Sequence, residues 1–226
     1  MAKIAFVQLD DQQDSIKWSL TRQGSFTVQS MYKHLINQVA MPLNKLLWKL
    51  KLPLKIKIFI WFLIKGVILT KDNLKKRKWK GDDRCCFCDN KETIQHLFFN
   101  CHVAKFVWRV CQVAFNLEPP KDVIDLFRLW DAQTDQHQHL RYLICMGSSA
   151  ILWSIWLFRN EGIFDKKQLY SYLQVVFRTT YWTRFWITLQ KKNDKPFLKW
   201  ACRMMETLAM EIFAKHGWSS LKRLSA

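Results

Sequence analysis

Between Arg84 and Cys101 the chain reads Arg84-Cys85-Cys86-Phe87-Cys88-Asp89-Asn90-Lys91-Glu92-Thr93-Ile94-Gln95-His96-Leu97-Phe98-Phe99-Asn100-Cys101. Reduced to spacing, this is Cys85-x2-Cys88-x7-His96-x4-Cys101. Four soft or borderline ligands on so short a path suit tetrahedral zinc. A Cys-x2-Cys turn brings two thiolates to one ion, and the amides between them can donate to the sulfurs. His96 and Cys101 stand about 140° apart on a helix, so they cannot meet on a continuous one. The spacing predicts a knuckle, a short helix carrying His96, and a break before Cys101 for which Asn100 is a suitable stop. Four protein ligands close the site, so one structural Zn2+ is expected rather than a catalytic one. Cys86 is an extra thiol and His102 follows Cys101; either is a possible substitute ligand. Cys85 fits better, because Cys86-x1-Cys88 is a tighter bite than the usual spacing.

The charge points to a partner class. The 226 residues carry 36 Lys and Arg against 18 Asp and Glu, a formal charge of +18. Residues 41–80 hold Lys45, Lys49, Lys51, Lys55, Lys57, Lys65, Lys71, Lys75, Lys76, Arg77, Lys78 and Lys80, with Asp72 as the sole acid. Residues 81–165 are mildly acidic, and residues 166–226 form a second basic block. Such blocks read as polyanion-binding surfaces. Half the residues are hydrophobic, which excludes a disordered basic tail and supplies a core. Six Gly and five Pro exclude a collagen-like or low-complexity chain. The first residues carry too short an apolar run for a secretory signal. Seven cysteines then indicate a reducing compartment, and an intracellular protein, nuclear or cytoplasmic and not secreted, is expected. Cys111, Cys145 and Cys202 fall in apolar helical patterns and read as core residues.

The pattern along the chain is mainly α with a small N-terminal β-hairpin, a helical domain stapled by one Cys-Cys-His-Cys zinc knuckle. Residues 14–28 read as the hairpin: Trp18 and Leu20 alternate with polar residues, Gln23-Gly24 turns, and Phe26 and Val28 return. A helix capped by Thr27 is expected from about Val28 to Val39. Pro53 suits the start of a central buried helix, about 53–65, with Gly66 as its stop. Thr70 can cap a short basic helix over 71–78, ended by Trp79. Thr93 can cap the helix that carries His96. Further helical patterns cover about 103–115, 122–130, 140–161, 166–191 and 197–214, with breaks at Glu118-Pro119-Pro120 and Asn193-Asp194-Lys195-Pro196. Tyr142 to Phe158 is uncharged and reaches the lower edge of a membrane span, but Gly147-Ser148-Ser149 interrupts it. A buried core helix is the better reading, and a membrane partner is not expected.

These residues resemble the zinc-binding domain at the C-terminal end of plant LINE-type (non-LTR retrotransposon) reverse transcriptases. The matching features are Asp14-x3-Trp18, Gly24-x-Phe26-x-Val28-x-Ser30-x-Tyr32, Trp48-Lys49-Leu50-Lys51-Leu52-Pro53, Lys55-Ile56-Lys57-Ile58-Phe59-Ile60-Trp61 and Leu69-Thr70-Lys71-Asp72-Asn73-Leu74. The metal segment adds Glu92-Thr93, His96-Leu97-Phe98-Phe99, Ala104 and Trp108. A weaker extension includes Ile151-Leu152-Trp153-Ser154-Ile155-Trp156, Arg159-Asn160 and Ile163-Phe164. The resemblance implies metal positions at Cys85, Cys88, His96 and Cys101. It also implies a nucleic-acid-binding accessory module of a retroelement polyprotein. The corresponding domain limits are a lead over 1–13, the zinc-binding domain over 14–117 and a helical extension over 118–226.

Catalysis is not expected. No Tyr- or Phe-x-Asp-Asp polymerase signature and no spaced carboxylates of a ribonuclease H pattern are visible, nor is an endonuclease signature. Gly81-Asp82-Asp83 mimics a polymerase triad without its context. His34, His137, His139 and His216 have no paired acids at useful spacing, and Cys86 has no neighbouring general base. The expected role is backbone binding to RNA or DNA, with low sequence specificity, by Lys71, Lys75, Lys76, Arg77, Lys78 and Lys80. Trp79 and Phe87 are candidates for stacking on unpaired bases. Other regions of a retroelement polypeptide are further possible partners. The alternative is a domesticated or decayed retroelement fragment acting as a structural and protein-interaction scaffold.

Overall fold

A computed structural model of the chain describes residues 17–31, 47–123, 125–126, 138–164 and 171–221. The chain forms two compact units, Met1–Pro42 and Leu43–Ala226.

In the first unit the expected hairpin is replaced by a closed turn. Residues 17–27 hold no strand; residues 14–16 lie outside the described residues. The Trp18 amide donates to the Gly24 carbonyl at 2.7 Å, and the Thr21 side chain bonds the Ser25 carbonyl at 2.7 Å. Gly24 has φ +69°, which an L side chain rarely adopts. The Trp18 indole packs edge-on against Phe26 at 4.8 Å and donates to Ser30 Oγ at 2.7 Å. The alternation of Trp18 and Phe26 thus reports a local aromatic clasp rather than a ladder. Thr27 caps the helical residues 28–31 through the Ser30 amide at 3.1 Å. The rest of that expected helix lies outside the described residues.

In the second unit α1 spans Leu54–Ile64. Pro53 stands at its N-cap, and the turn at its end sets Gly66 at φ +69°. The Val67 amide reaches back to the Phe62 carbonyl, a Schellman closure. Burial is one-sided: Ile56, Phe59, Ile60 and Leu63 are buried, whereas Leu54, Ile58 and Phe62 are exposed. The helix expected to be buried all round therefore lies on the surface of the core. The short α2 spans Lys71–Lys76. A π turn over His96–Asn100 leads into α3, His102–Phe115, which ends at left-handed Asn116, before the prolines that were expected to break it.

Three long helices complete the unit: α4 over Gln138–Ile163, α5 over Leu173–Ile187 and α6 over Lys195–Leu221. A 3-10 turn, Lys192–Asp194, joins the last two, and Pro196 falls in the first turn of α6, where its missing N–H costs nothing. Of the 122–130 helix, residues 122, 123, 125 and 126 are described; residue 122 is a bend and the other three are helical. Helix α4 packs along α5, α5 along α6, and α6 returns against α3. Ala150, Leu152, Ile155 and Phe158 of α4 are fully buried, as is Trp186 of α5. Tyr142–Ile163 is the one stretch among the described residues long and apolar enough to cross a membrane, yet 72% of its most apolar window is buried inside the protein. The Gly147-Ser148-Ser149 interruption stays helical, with Ser149 Oγ bonded to the Cys145 carbonyl at 2.7 Å. Cys111, Cys145 and Cys202 are all buried, as core cysteines should be.

Candidate metal centre and adjoining basic turn

Residues 81–92 are polar turns with one antiparallel bridge, Arg84 to Lys91. The Cys85 amide donates to the Asn90 carbonyl at 2.7 Å, which curls the knuckle around Cys88. Thr93 caps the next turn by accepting from the His96 amide at 3.0 Å. The chain then makes the π turn, and the Cys101 amide bonds the His96 carbonyl at 2.7 Å. Cys101 itself is extended, with φ −64° and ψ 149°, and serves as the N-cap of α3. The break required by the His96–Cys101 spacing is therefore present, one residue later than Asn100.

The sulfurs of Cys85, Cys88 and Cys101 and a ring nitrogen of His96 all lie within 4.8 Å of one another. Cys85 Sγ and Cys101 Sγ are 3.9 Å apart, and Cys88 Sγ is 3.1 Å from His96 Nε2. Ideal tetrahedral zinc separates two sulfurs by about 3.8 Å and a sulfur from a nitrogen by about 3.6 Å, given its bond lengths. The sulfur pair matches and the mixed pair is somewhat tight, so the donor set fits a zinc ion. Cys101 and Cys86 thiols donate to the Cys85 sulfur and hold its thiol well below the usual range. The same contact and burial push Cys101 up. The Phe87 amide points at Cys85 Sγ at 3.5 Å, and Asn90 Nδ2 approaches Cys88 Sγ at 3.6 Å. These are the outer donors a thiolate cluster needs. Cys86 stands outside the four-residue cluster and groups instead with Cys85 and Glu92. His102 is exposed on α3 and is not part of either group.

Glu92 is the residue whose role sequence reasoning missed. It is fully buried, and its carboxylate meets the guanidinium of Arg159, itself only 1% exposed, at 2.6 Å. The Arg159 Nε donates to both carboxylate oxygens at 3.2 and 3.3 Å. The guanidinium also donates to Asn160 Oδ1 and the Leu69 carbonyl, and it lies over the Trp156 ring at 4.9 Å. The same carboxylate accepts from the Lys71 amide at 3.0 Å, and the Glu92 carbonyl accepts from the Asp72 amide at 3.2 Å. One side chain thus fastens the start of α2, the metal loop and the end of α4. The signal was the pairing of Glu92-Thr93 with Arg159-Asn160 among the matched positions; neither spacing nor periodicity joins residues so far apart.

The basic residues divide into two groups. Lys71 Nζ donates to the Arg84 carbonyl at 2.6 Å, Lys75 pairs with Asp83 at 3.1 Å, and Lys76 bonds Asn73 Oδ1 at 2.8 Å and stands 3.8 Å from Asp72. These lysines are partly occupied in holding the turn. Lys75 in turn lowers the Asp83 carboxyl through a direct hydrogen bond. Arg77, Lys78 and Lys80 are exposed and form no ion pair among the described residues. Lys78 adopts φ +65°, and the Trp79 amide returns to the Leu74 carbonyl, so α2 ends in a Schellman turn that presents these cations. The Thr70 hydroxyl bonds Asp72 Oδ1 at 2.5 Å instead of capping an amide. Trp79 is 41% exposed and its ring covers Gly81, where a Cβ would fall 1.9 Å from the indole. Phe87 is buried and stacks on Phe158 at 5.2 Å; it packs the loop onto α4 and is not available for a base. The side chains of His34, His137, His139 and His216 lie outside the described residues.

Residues 26–108 match the model of a family described as zinc-binding in reverse transcriptase. The resemblance read from the sequence is to this family. The matched segment contains all four cluster residues and Glu92. Over 101 residues the chain is 25% identical to a putative ribonuclease H protein of Arabidopsis thaliana, covering 42% of this chain and 16% of that protein. No solved structure matches. The matched segment is therefore similar to a reverse-transcriptase zinc-binding segment, and it carries a Cys3His cluster able to hold the metal.

Proposed function

We propose that the chain is a nucleic-acid-binding accessory module of a retrotransposon-derived reverse transcriptase, held in shape by one structural zinc ion. Bound zinc would supply a cross-link among Cys85, Cys88, His96 and Cys101, and no open position for catalysis. The observation that supports binding is the exposed Arg77, Lys78 and Lys80 turn on a helix whose start is fastened to the metal loop by Glu92. Preorganised cations contact phosphates at less entropic cost than cations on a mobile tail. Lys71, Lys75 and Lys76 act in this reading mainly by shaping the turn, and Trp79 offers a half-exposed ring for an unpaired base. The protein acts by binding, inside the cell, on RNA or DNA, without chemistry of its own.

The test is a titration with labelled single-stranded RNA and DNA across a salt series. Neutralising Arg77, Lys78 and Lys80 to Gln should lower the log–log salt slope by about 2, at about 0.7 per phosphate contact on single strands. No binding by the wild type at low salt would leave the scaffold reading, which the internal pairing of Lys71, Lys75 and Lys76 also supports.

A further inference from the structure

The two basic blocks of the sequence meet at a cavity that none of the cluster residues lines. Lys49 and Lys51 precede α1, and Lys191 follows α5. All three line a cavity of about 280 Å³, together with Tyr142 of α4, Gln190 and Asp194. The Gln190 side chain bridges the two segments: its amide donates to the Lys51 carbonyl at 2.8 Å and to the Trp186 carbonyl at 3.2 Å. The walls are therefore tied together by a hydrogen bond between residues 139 positions apart in the sequence.

Three lysines against one carboxylate leave the cavity strongly positive. Asp194, 7% exposed, stands immediately before α6, where a helix start favours a negative charge. No ion pair among the described residues involves Lys49, Lys51 or Lys191. Other lysines nearby are engaged, Lys57 with the Trp48 carbonyl and Lys55 over the Trp153 ring. Ammonium groups on one small concavity repel one another within a Debye length, and an anion in their midst removes that cost. The volume lies near the lower end for ligand sites and suits a compact group. The Gln190 amide spends its two N–H donors on the Lys51 and Trp186 carbonyls, so it shapes the wall, and the lysines are what would meet an anion.

We propose that this cavity is a phosphate-binding site assembled from both basic blocks, and that it grips a backbone phosphate of a bound nucleic-acid strand. The identity of the strand rests on the nucleic-acid reading; the affinity for phosphate does not. The site takes a phosphate as an ion, with no covalent step.

Two probes separate the claims: inorganic tripolyphosphate, followed by calorimetry, and a labelled single-stranded RNA titrated across salt. Lys49→Gln, Lys51→Gln and Lys191→Gln together should weaken tripolyphosphate at least tenfold. They should also lower the RNA salt slope by about 2, as expected for three lost contacts. Arg77→Gln, Lys78→Gln and Lys80→Gln together should leave the part of tripolyphosphate binding that depends on Lys49, Lys51 and Lys191 unchanged. Lys191→Glu alone, on an exposed turn, should reproduce the loss if the triple variant melts early. Tripolyphosphate binding that depends on the three lysines, with no RNA binding by the wild type, would support the cavity and assign it to a free phosphate ligand while sinking the nucleic-acid reading. Unchanged binding of both probes in the cavity variants would overturn the proposal.

Discussion

The metal loop and the stack of α4, α5 and α6 are stabilised in different ways. The stack relies on area: Ala150, Leu152, Ile155, Phe158, Val175, Val176 and Trp186 are all fully buried. The loop over residues 81–92 buries only Cys85, Phe87 and Glu92, and much of its surface is polar. It depends on a few directional interactions: the cysteine–histidine cluster, the Glu92–Arg159 pair and the Phe87–Phe158 stack. Area is forgiving, since a volume-conserving exchange in a core costs little. Directional pairs are not, since removing one partner strands the other. The half that offers the most polar chemistry is thus the half with the fewest redundant supports.

The largest expected effect breaks the cluster. Cys88→Ser or His96→Ala should abolish stoichiometric zinc, measured by metal analysis. Each should also destabilise the loop by several kcal/mol, because zinc binding is linked to folding. The α4–α6 helical signal should persist. Retained stoichiometric zinc in both variants would refute the ligand set. Acidification and chelator should act the same way, since the ligands bind metal only when deprotonated.

Next comes the link between the regions. Arg159→Met leaves a buried Glu92 carboxylate without its charge partner and should cost about 3–5 kcal/mol. Exchange of the Lys71 and Asp72 amides should accelerate first, by hydrogen exchange, because Glu92 is what holds them. Equal acceleration throughout α5 would show that the two regions unfold as one. A third, smaller effect separates packing from recognition. Phe87→Leu should cost about 1 kcal/mol, as a near-conservative core change, and leave RNA affinity unchanged. The same exchange at Trp79 should do the reverse.

The smallest effect belongs to the stack. Arg184 lowers the carboxyl of Glu206 by direct hydrogen bonds, and the pair is partly exposed. A carboxylate whose folded pKa is depressed stabilises the fold above its unfolded value. That contribution is lost as pH falls through the folded one. Glu206→Gln should therefore cost under about 1 kcal/mol at neutral pH and nothing in strong acid, by thermal melts at both.

The division also explains what could be read from the sequence. The knuckle, the four-residue cysteine–histidine cluster and the break before Cys101 were legible because local spacing dictates them. Helix α3 followed from its apolar period, and α4 was recognised as a core helix despite its membrane-like length. Of the pattern over 166–191, residues 166–170 lie outside the described residues, residues 171 and 172 are not helical, and α5 covers Leu173–Ile187. The residues that fail are those whose meaning lies in a distant partner. Glu92 and Arg159 meet across 67 positions, and Gln190 and Lys51 across 139. The same is true of Phe87, whose fate is set by Phe158. Trp18 and Phe26 misled for the opposite reason: so near in sequence, they pack together without a sheet.

The π turn turns a counting question into a structural one. An ordinary α turn would place His96 and a residue four positions on above each other, whereas here the partner is five on. The widened turn accommodates the additional residue. Deleting one residue between Leu97 and Asn100 should leave an α turn with the ligands still on one face, whereas adding one should rotate them apart. The length of this gap in related chains is then a readout of backbone winding, available before any coordinates are.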